Sequence, residues 1–103
     1  MKTKVKINIP EEKITEFCKK NHIRKLSFFG SVISDNFAPK SDIDVLVEFE
    51  PGHVPGYISF AGMGHELSDI FGGRKVDLRT PMELSKYFRD DVLSKAVLQY
   101  GQE

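Results

Sequence analysis

The sequence has no tryptophan, a single cysteine, no excess of either charge and no long apolar run, and each shortage closes off a class of protein. Cys18 has no second cysteine to pair with, so no internal disulfide can form. That suits a reducing compartment and makes a cytoplasmic location the expectation. Lys plus Arg and Asp plus Glu are both 15, which excludes bulk electrostatic attraction to nucleic acid, and no direct nucleic-acid binding is expected. An anionic ligand has to be gripped locally. No apolar stretch reaches the roughly 20 residues that span a bilayer, and no apolar signal core follows the lysine-rich start, so neither membrane insertion nor secretion is expected. Internal repeats and low-complexity segments are missing too.

What is present describes a globular chain. Hydrophobic residues make up 40% and charged residues 29% of 103 positions, with eight phenylalanines. That length and composition predict one small domain, residues 1–103, around a single core.

Local patterns predict the elements. From Lys2 to Ile9, polar residues alternate with Val5, Ile7 and Ile9, as in a short edge strand or an extended arm. Pro10 followed by Glu11 and Glu12 reads as a helix start, Ile14, Phe17 and Cys18 form its apolar stripe, and the helix ends near Asn21. Ile23 to Phe29 reads as a central strand closed by Gly30, with Ser31 opening a turn or short helix. A loop over Asp35 to Ser41 precedes a second central strand, Asp42 to Phe49, ended by Pro51 and Gly52. A helix is expected from Tyr57 to Phe71, its stripe made by Ile58, Ala61, Leu67, Ile70 and Phe71 and its interior weakened by Gly62 and Gly64. Lys75 to Arg79 reads as a third strand with Val76 and Leu78 inward. A last helical region is expected from Pro81 to about Tyr100, interrupted between Phe88 and Asp91. The order helix, strand, strand, helix, strand, helix predicts an α/β (α+β) fold in which helices flank a small mixed β-sheet.

The chemistry concentrates around the second strand. Side chains alternate across a strand, so Asp42 and Asp44 share one face while Ile43, Val45 and Val47 take the other. Two like charges side by side repel, and a divalent cation is the natural group to sit between them. The plain alternative is a pair of solubilising acids, or Asp42 capping the turn after Ser41. Asp77 has its own plain reading as an exposed acid between Lys75 and Arg79, and Ser31 as a simple helix N-cap. His22, His53 and His65 lack the spacing of a zinc site. Cys18 falls on an apolar stripe and the Phe28-Phe29 pair reads as core. Lys40 reads most simply as a solvated loop lysine.

The string Phe29-Gly30-Ser31, a ten-residue spacer from Val32 to Ser41, Asp42-Ile43-Asp44, and later Lys75-Val76-Asp77-Leu78 resembles the minimal nucleotidyltransferases, the MNT family of the polymerase-β-like superfamily. The likeness covers nearly the whole chain, from Asn21-His22-Ile23-Arg24 to Thr80-Pro81 and Val92-Leu93. It implies the polymerase-β-like nucleotidyltransferase fold and a Mg²⁺-dependent transfer of AMP from ATP to a hydroxyl, with two Mg²⁺ ions held by Asp42, Asp44 and Asp77 as the catalytic carboxylates. Gly30 and Ser31 would bind the nucleotide phosphates. The implied partner is a HEPN-domain ribonuclease toxin, modified on a tyrosine and neutralised by this chain as antitoxin. One stretch departs from the pattern: where the family commonly has Arg-Ala-Arg-Gly, this chain has Val32-Ile33-Ser34-Asp35. Each lost charge-assisted hydrogen bond would weaken nucleotide binding by roughly 1.5–3 kcal/mol. A silent antitoxin that neutralises its partner by docking alone therefore stays open.

Overall fold

The structure is a computed structural model that describes residues 5, 7–35, 37–38 and 40–101. The predicted arm from Lys2 to Ile9 lies partly outside them.

Helix α1 (Glu11–Lys20) starts and stops where its end residues dictate: Glu11 and Glu12 lie in the first turn, Lys19 and Lys20 in the last, each matched to the helix dipole. Pro10 contributes only its carbonyl, which accepts from the Ile14 N–H at 3.0 Å. The Asn21 side-chain amide donates to the Phe17 carbonyl at 2.9 Å and closes the other end. Strand β1 (Ile23–Phe29) follows, then a 3₁₀ turn (Gly30–Ile33) and strand β2 (Ile43–Phe49). Helix α2 (Tyr57–Ile70) crosses over to strand β3 (Val76–Arg79). A 3₁₀ turn (Pro81–Glu83), helix α3 (Arg89–Lys95) and strand β4 (Val97–Tyr100) complete the chain.

The sheet order is β3-β2-β1-β4, with β1 antiparallel to both β2 and β4 and β2 parallel to β3. The mixed sheet follows from connection lengths. A loop allows β1 and β2 to pair antiparallel, whereas the parallel β2–β3 pair needs a crossover, which α2 supplies. On one face Phe28 lies opposite Val45 and Leu26 opposite Val47. With Ile43 and Ile23 these residues meet Ile14, Phe17 and Cys18 of α1 and Met63 and Leu67 of α2 in the core. Burying a side chain such as Phe17 or Phe28 contributes about 1.5–3 kcal/mol each. Burial also pushes the Cys18 thiol up to about 12, which leaves it inert.

Three local readings are corrected. Val97 to Tyr100 is a strand, not the end of a helix: Ala96 turns extended (φ −61, ψ 142) and the segment pairs with β1, where Phe28 faces Val97 and Ser27 faces Leu98. Arg89 holds the irregular approach to α3, its guanidinium donating to the carbonyls of Pro81 at 2.8 Å and Leu84 at 3.0 Å. The stripe of α2 is rotated from the expected one. Phe60, Met63, Leu67, Ile70 and Phe71 face the core, while Ile58 stands 90% exposed. The Phe28-Phe29 pair is split across the sheet, Phe28 in the core and Phe29 half-buried on the opposite face.

Gly62 and Gly64 sit inside α2, and a Cβ at either would meet nothing within 4 Å. Gly62→Ala is expected to stabilise the protein by about 0.5–1 kcal/mol, read as a rise of a few degrees in a thermal melt. An unchanged or lower Tm would show that this helix face is not open. Among the described residues, no helix is long and apolar enough to cross a membrane.

Candidate active site

The sheet places its acids by register. Asp44 of β2 lies opposite Asp77 of the parallel neighbour β3 and opposite Phe29 of β1. Residues paired in this way project from the same sheet face, the one away from the helical core. Asp42, just before β2, falls on that face by alternation. The fields of Asp77 and Asp42 both reach Asp44, whose carboxyl is held above its ordinary value first by burial and then by these two acids. Arg79 and a hydrogen bond from the Ser31 backbone N–H pull the other way. The outer acids have their own cations: Lys75 Nζ lies 3.9 Å from Asp42, and Arg79 Nε lies 3.3 Å from both Asp77 oxygens.

The Gly-Ser turn is built around the same aspartate. Gly30 has φ +72, and a Cβ placed there would overlap the Asp44 carboxylate, whose Cγ would be 3.1 Å away. Only glycine combines that backbone with such a close approach. Ser31 anchors the turn from both sides, its N–H to Asp44 and its carbonyl to the Ser34 N–H (2.9 Å) and hydroxyl (3.0 Å). Three of the four residues at the departure from the family pattern, Val32, Ile33 and Ser34, are used structurally. Val32 is wholly buried in the core, and the Ser34 hydroxyl closes the turn.

The spacer before Asp42 is held by a residue that nothing in the sequence singled out. The Arg74 guanidinium donates to the carbonyls of Ala38 at 3.2 Å and Ser41 at 3.0 Å and lies 4.6 Å over the Phe37 ring. Its own carbonyl accepts from the Ser68 hydroxyl, and the Ile43 N–H donates to the next carbonyl, that of Lys75, at 2.9 Å. Arg74 thus ties the start of β2 to the end of α2. Its Nε is buried without a partner among the described residues. Arg74→Ala is expected to cost about 1–3 kcal/mol in a denaturant titration. Arg74→Lys should recover less than half of that, because an ammonium cannot bridge two carbonyls in a planar fork.

A cleft of about 1150 Å³ opens beside the turn, lined by Phe29, Gly30, Ile33 and Ser34 on one side and by α3 and the start of β4 on the other. Among the described residues, it meets the carboxylate group at Gly30 and is lined by one cation, Lys95, which pairs with Asp91 at 3.1 Å. A group of donors that local spacing did not reveal lies at the other end of β1 and β2, where His22, Glu50 and His53 come together.

Comparison with known proteins agrees with this fold. The profile of a family described as a nucleotidyltransferase domain matches residues 11–99. A "Putative protein adenylyltransferase" of Methanocaldococcus jannaschii is 31% identical over 91 residues, covering 88% of this chain and 95% of that protein. Among solved structures, a toxin-antitoxin with AMP-PNP superposes with a TM-score of 0.74 at 21% identity, over 92% of this chain and 76% of that one. A tri-AMPylated HEPN toxin of Shewanella oneidensis in complex with MNT antitoxin gives a TM-score of 0.64 at 21% identity, over 89% and 70% of the two chains.

Proposed function

Because this chain belongs to the nucleotidyltransferase domain family, we propose that it transfers AMP from ATP to a hydroxyl of a partner protein, and that the partner is a HEPN toxin modified on tyrosine. The observation that carries the reading is Asp44 set in register with Asp77 and on the same face as Asp42, its carboxyl raised by burial and by both neighbours. Three hard oxygen donors on one face, with the middle one raised by burial and by the other two, suit magnesium, so Asp42, Asp44 and Asp77 are assigned as its ligands. Bound there, Mg²⁺ would neutralise charge on the triphosphate and on the attacking and leaving oxygens.

The chain's own residues prepare that chemistry. Ser31 fixes the Asp44 carboxylate through its N–H, and Gly30 lets a phosphate approach the backbone beside it. Asp77, on the edge strand, is placed to accept the proton of an incoming hydroxyl. Arg79 Nε, 3.3 Å from the Asp77 carboxylate, fixes that side chain in place on the same strand. The cleft between the Gly-Ser turn and α3 has room for a nucleotide. Met82, Tyr87 and Phe88, exposed on the segment leading into α3, offer an apolar surface to an acceptor protein.

A second reading, docking without catalysis, draws on one specific observation. Val32 is committed to the core and Ile33, Ser34 and Asp35 carry no positive charge, so fewer cations stand beside the Gly-Ser turn. One experiment separates the two. The protein is incubated with α-labelled ATP, Mg²⁺ and a HEPN-domain ribonuclease, and both label transfer and ribonuclease activity are followed. Transfer to a tyrosine with loss of ribonuclease activity is expected. Inhibition without transfer would establish docking alone.

A further inference from the structure

The β1–β2 pair carries a second group of donors at the end opposite to the carboxylates, about 20 Å from Asp44 at the ~3.3 Å rise of a strand residue. His22 sits in the turn between α1 and β1, and Glu50 and His53 follow β2. Pairing of Ile23 with Phe49 brings the two turns together. The Glu50 N–H donates to the His22 carbonyl at 2.9 Å, and the His53 N–H donates to the Glu50 carbonyl at 3.0 Å. Each side chain offers one ligand atom, and these atoms all lie within 4.8 Å of one another.

We propose that His22, Glu50 and His53 form a binding site for a zinc-class transition metal. Two imidazole nitrogens and one carboxylate oxygen are a recurrent three-ligand zinc set, with water completing the shell. Ligand bonds of about 2.0–2.1 Å at tetrahedral angles put neighbouring donor atoms about 3.3 Å apart. His22 Nδ1 and Glu50 Oε2 are 3.4 Å apart. The His22 and His53 rings are stacked, with centroids 3.9 Å apart and planes 17° from parallel, so one of these exposed rings has to rotate out of the stack for both nitrogens to face one ion. An ordinary surface ion pair accounts for His22 and Glu50 but gives no reason for a second imidazole laid on the first. His22 also has φ +56, a region that histidine enters more readily than most residues. Imidazole favours zinc and its late first-row neighbours over magnesium, which separates this site chemically from the carboxylates. Bound metal would clamp the loop after β2 to the turn after α1.

The test uses the untagged full chain with Asp42→Asn/Asp44→Asn, so that the carboxylate face does not contribute. Zn²⁺ alone is titrated by calorimetry, and Co²⁺ is followed by visible absorption. One Zn²⁺ per chain, a tetrahedral-type Co²⁺ band and a Tm raised by on the order of 10 °C at 100-fold excess over Kd are expected. His53→Ala and Glu50→Gln should each weaken Zn²⁺ binding at least ~10-fold. His22→Asn, which keeps the left-handed backbone, should do the same. All three side chains are exposed, and circular dichroism checks each variant's fold. Absence of Zn²⁺ binding in the parent chain, or equal affinity in all three variants, would overturn the proposal.

Discussion

Asp42→Asn/Asp44→Asn is expected to reduce AMP transfer by on the order of 10³-fold or more, with the fold intact. Loss of metal-bound charge stabilisation amounts to several kcal/mol of transition-state energy, and each 1.36 kcal/mol is about tenfold in rate. Removing divalent ions with EDTA should give a loss of the same size in the unaltered protein. Transfer that survives both treatments would remove these residues from the chemistry. Stability should move the opposite way, because Asp44 is held above its ordinary 3.8 by burial and by two neighbouring acids. A carboxyl raised in the folded state binds its proton more tightly there than in the unfolded chain. Ionised Asp44 therefore costs stability above its folded-state pKa, and the cost fades as pH falls toward and below the unfolded value. Without metal, Asp44→Asn should melt higher than the parent at neutral pH, with the gain shrinking as the solution is acidified. A lower Tm at neutral pH would show that the Ser31 N–H and Arg79 outweigh the repulsion.

Gly30→Ala is the other change with a large expected effect. A left-handed backbone costs an L-residue roughly 1–2 kcal/mol, and the added Cβ must also displace the Asp44 carboxylate. A total near 2–4 kcal/mol is expected, seen as a lower denaturant midpoint. Since misplacing a reacting group by about 1 Å can cost ~10² in rate, transfer should fall ~100-fold beyond what instability explains. Gly30→Ala that keeps the parent's midpoint and rate would mean that the turn does not seat Asp44.

How far these features were legible depends on the range of the physics behind them. The Asp42/Asp44 alternation against Ile43, Val45 and Val47 is a two-residue period, and the structure keeps it: all three apolar residues are fully buried. The ends of α1 were equally readable, since acids and lysines at helix termini act within one turn. The stripe of α2 was not, because Gly62 and Gly64 blur its periodicity and leave Ile58 and Met63 with similar claims to the core. Val97 to Tyr100 was misread because a short apolar segment suits helix or strand, and the free edge of β1 decided it. His22 and His53 were set aside on spacing alone, yet strand pairing closes the distance between them.

By itself, the sequence determined the composition of the face: two acids on one side of a central strand, a glycine-serine turn before it and an apolar side behind. Those follow from alternation and backbone sterics, which act between near neighbours. The tertiary structure alone decided which residues stand opposite them. Asp77 meets Asp44 because α2 carries β3 back parallel to β2 in one register. Arg74 reaches Ser41 because that same crossover ends beside the spacer. Register is a sum over the whole core, where a one-residue slip would turn every apolar side chain of a strand to the wrong face, so no single segment can announce it.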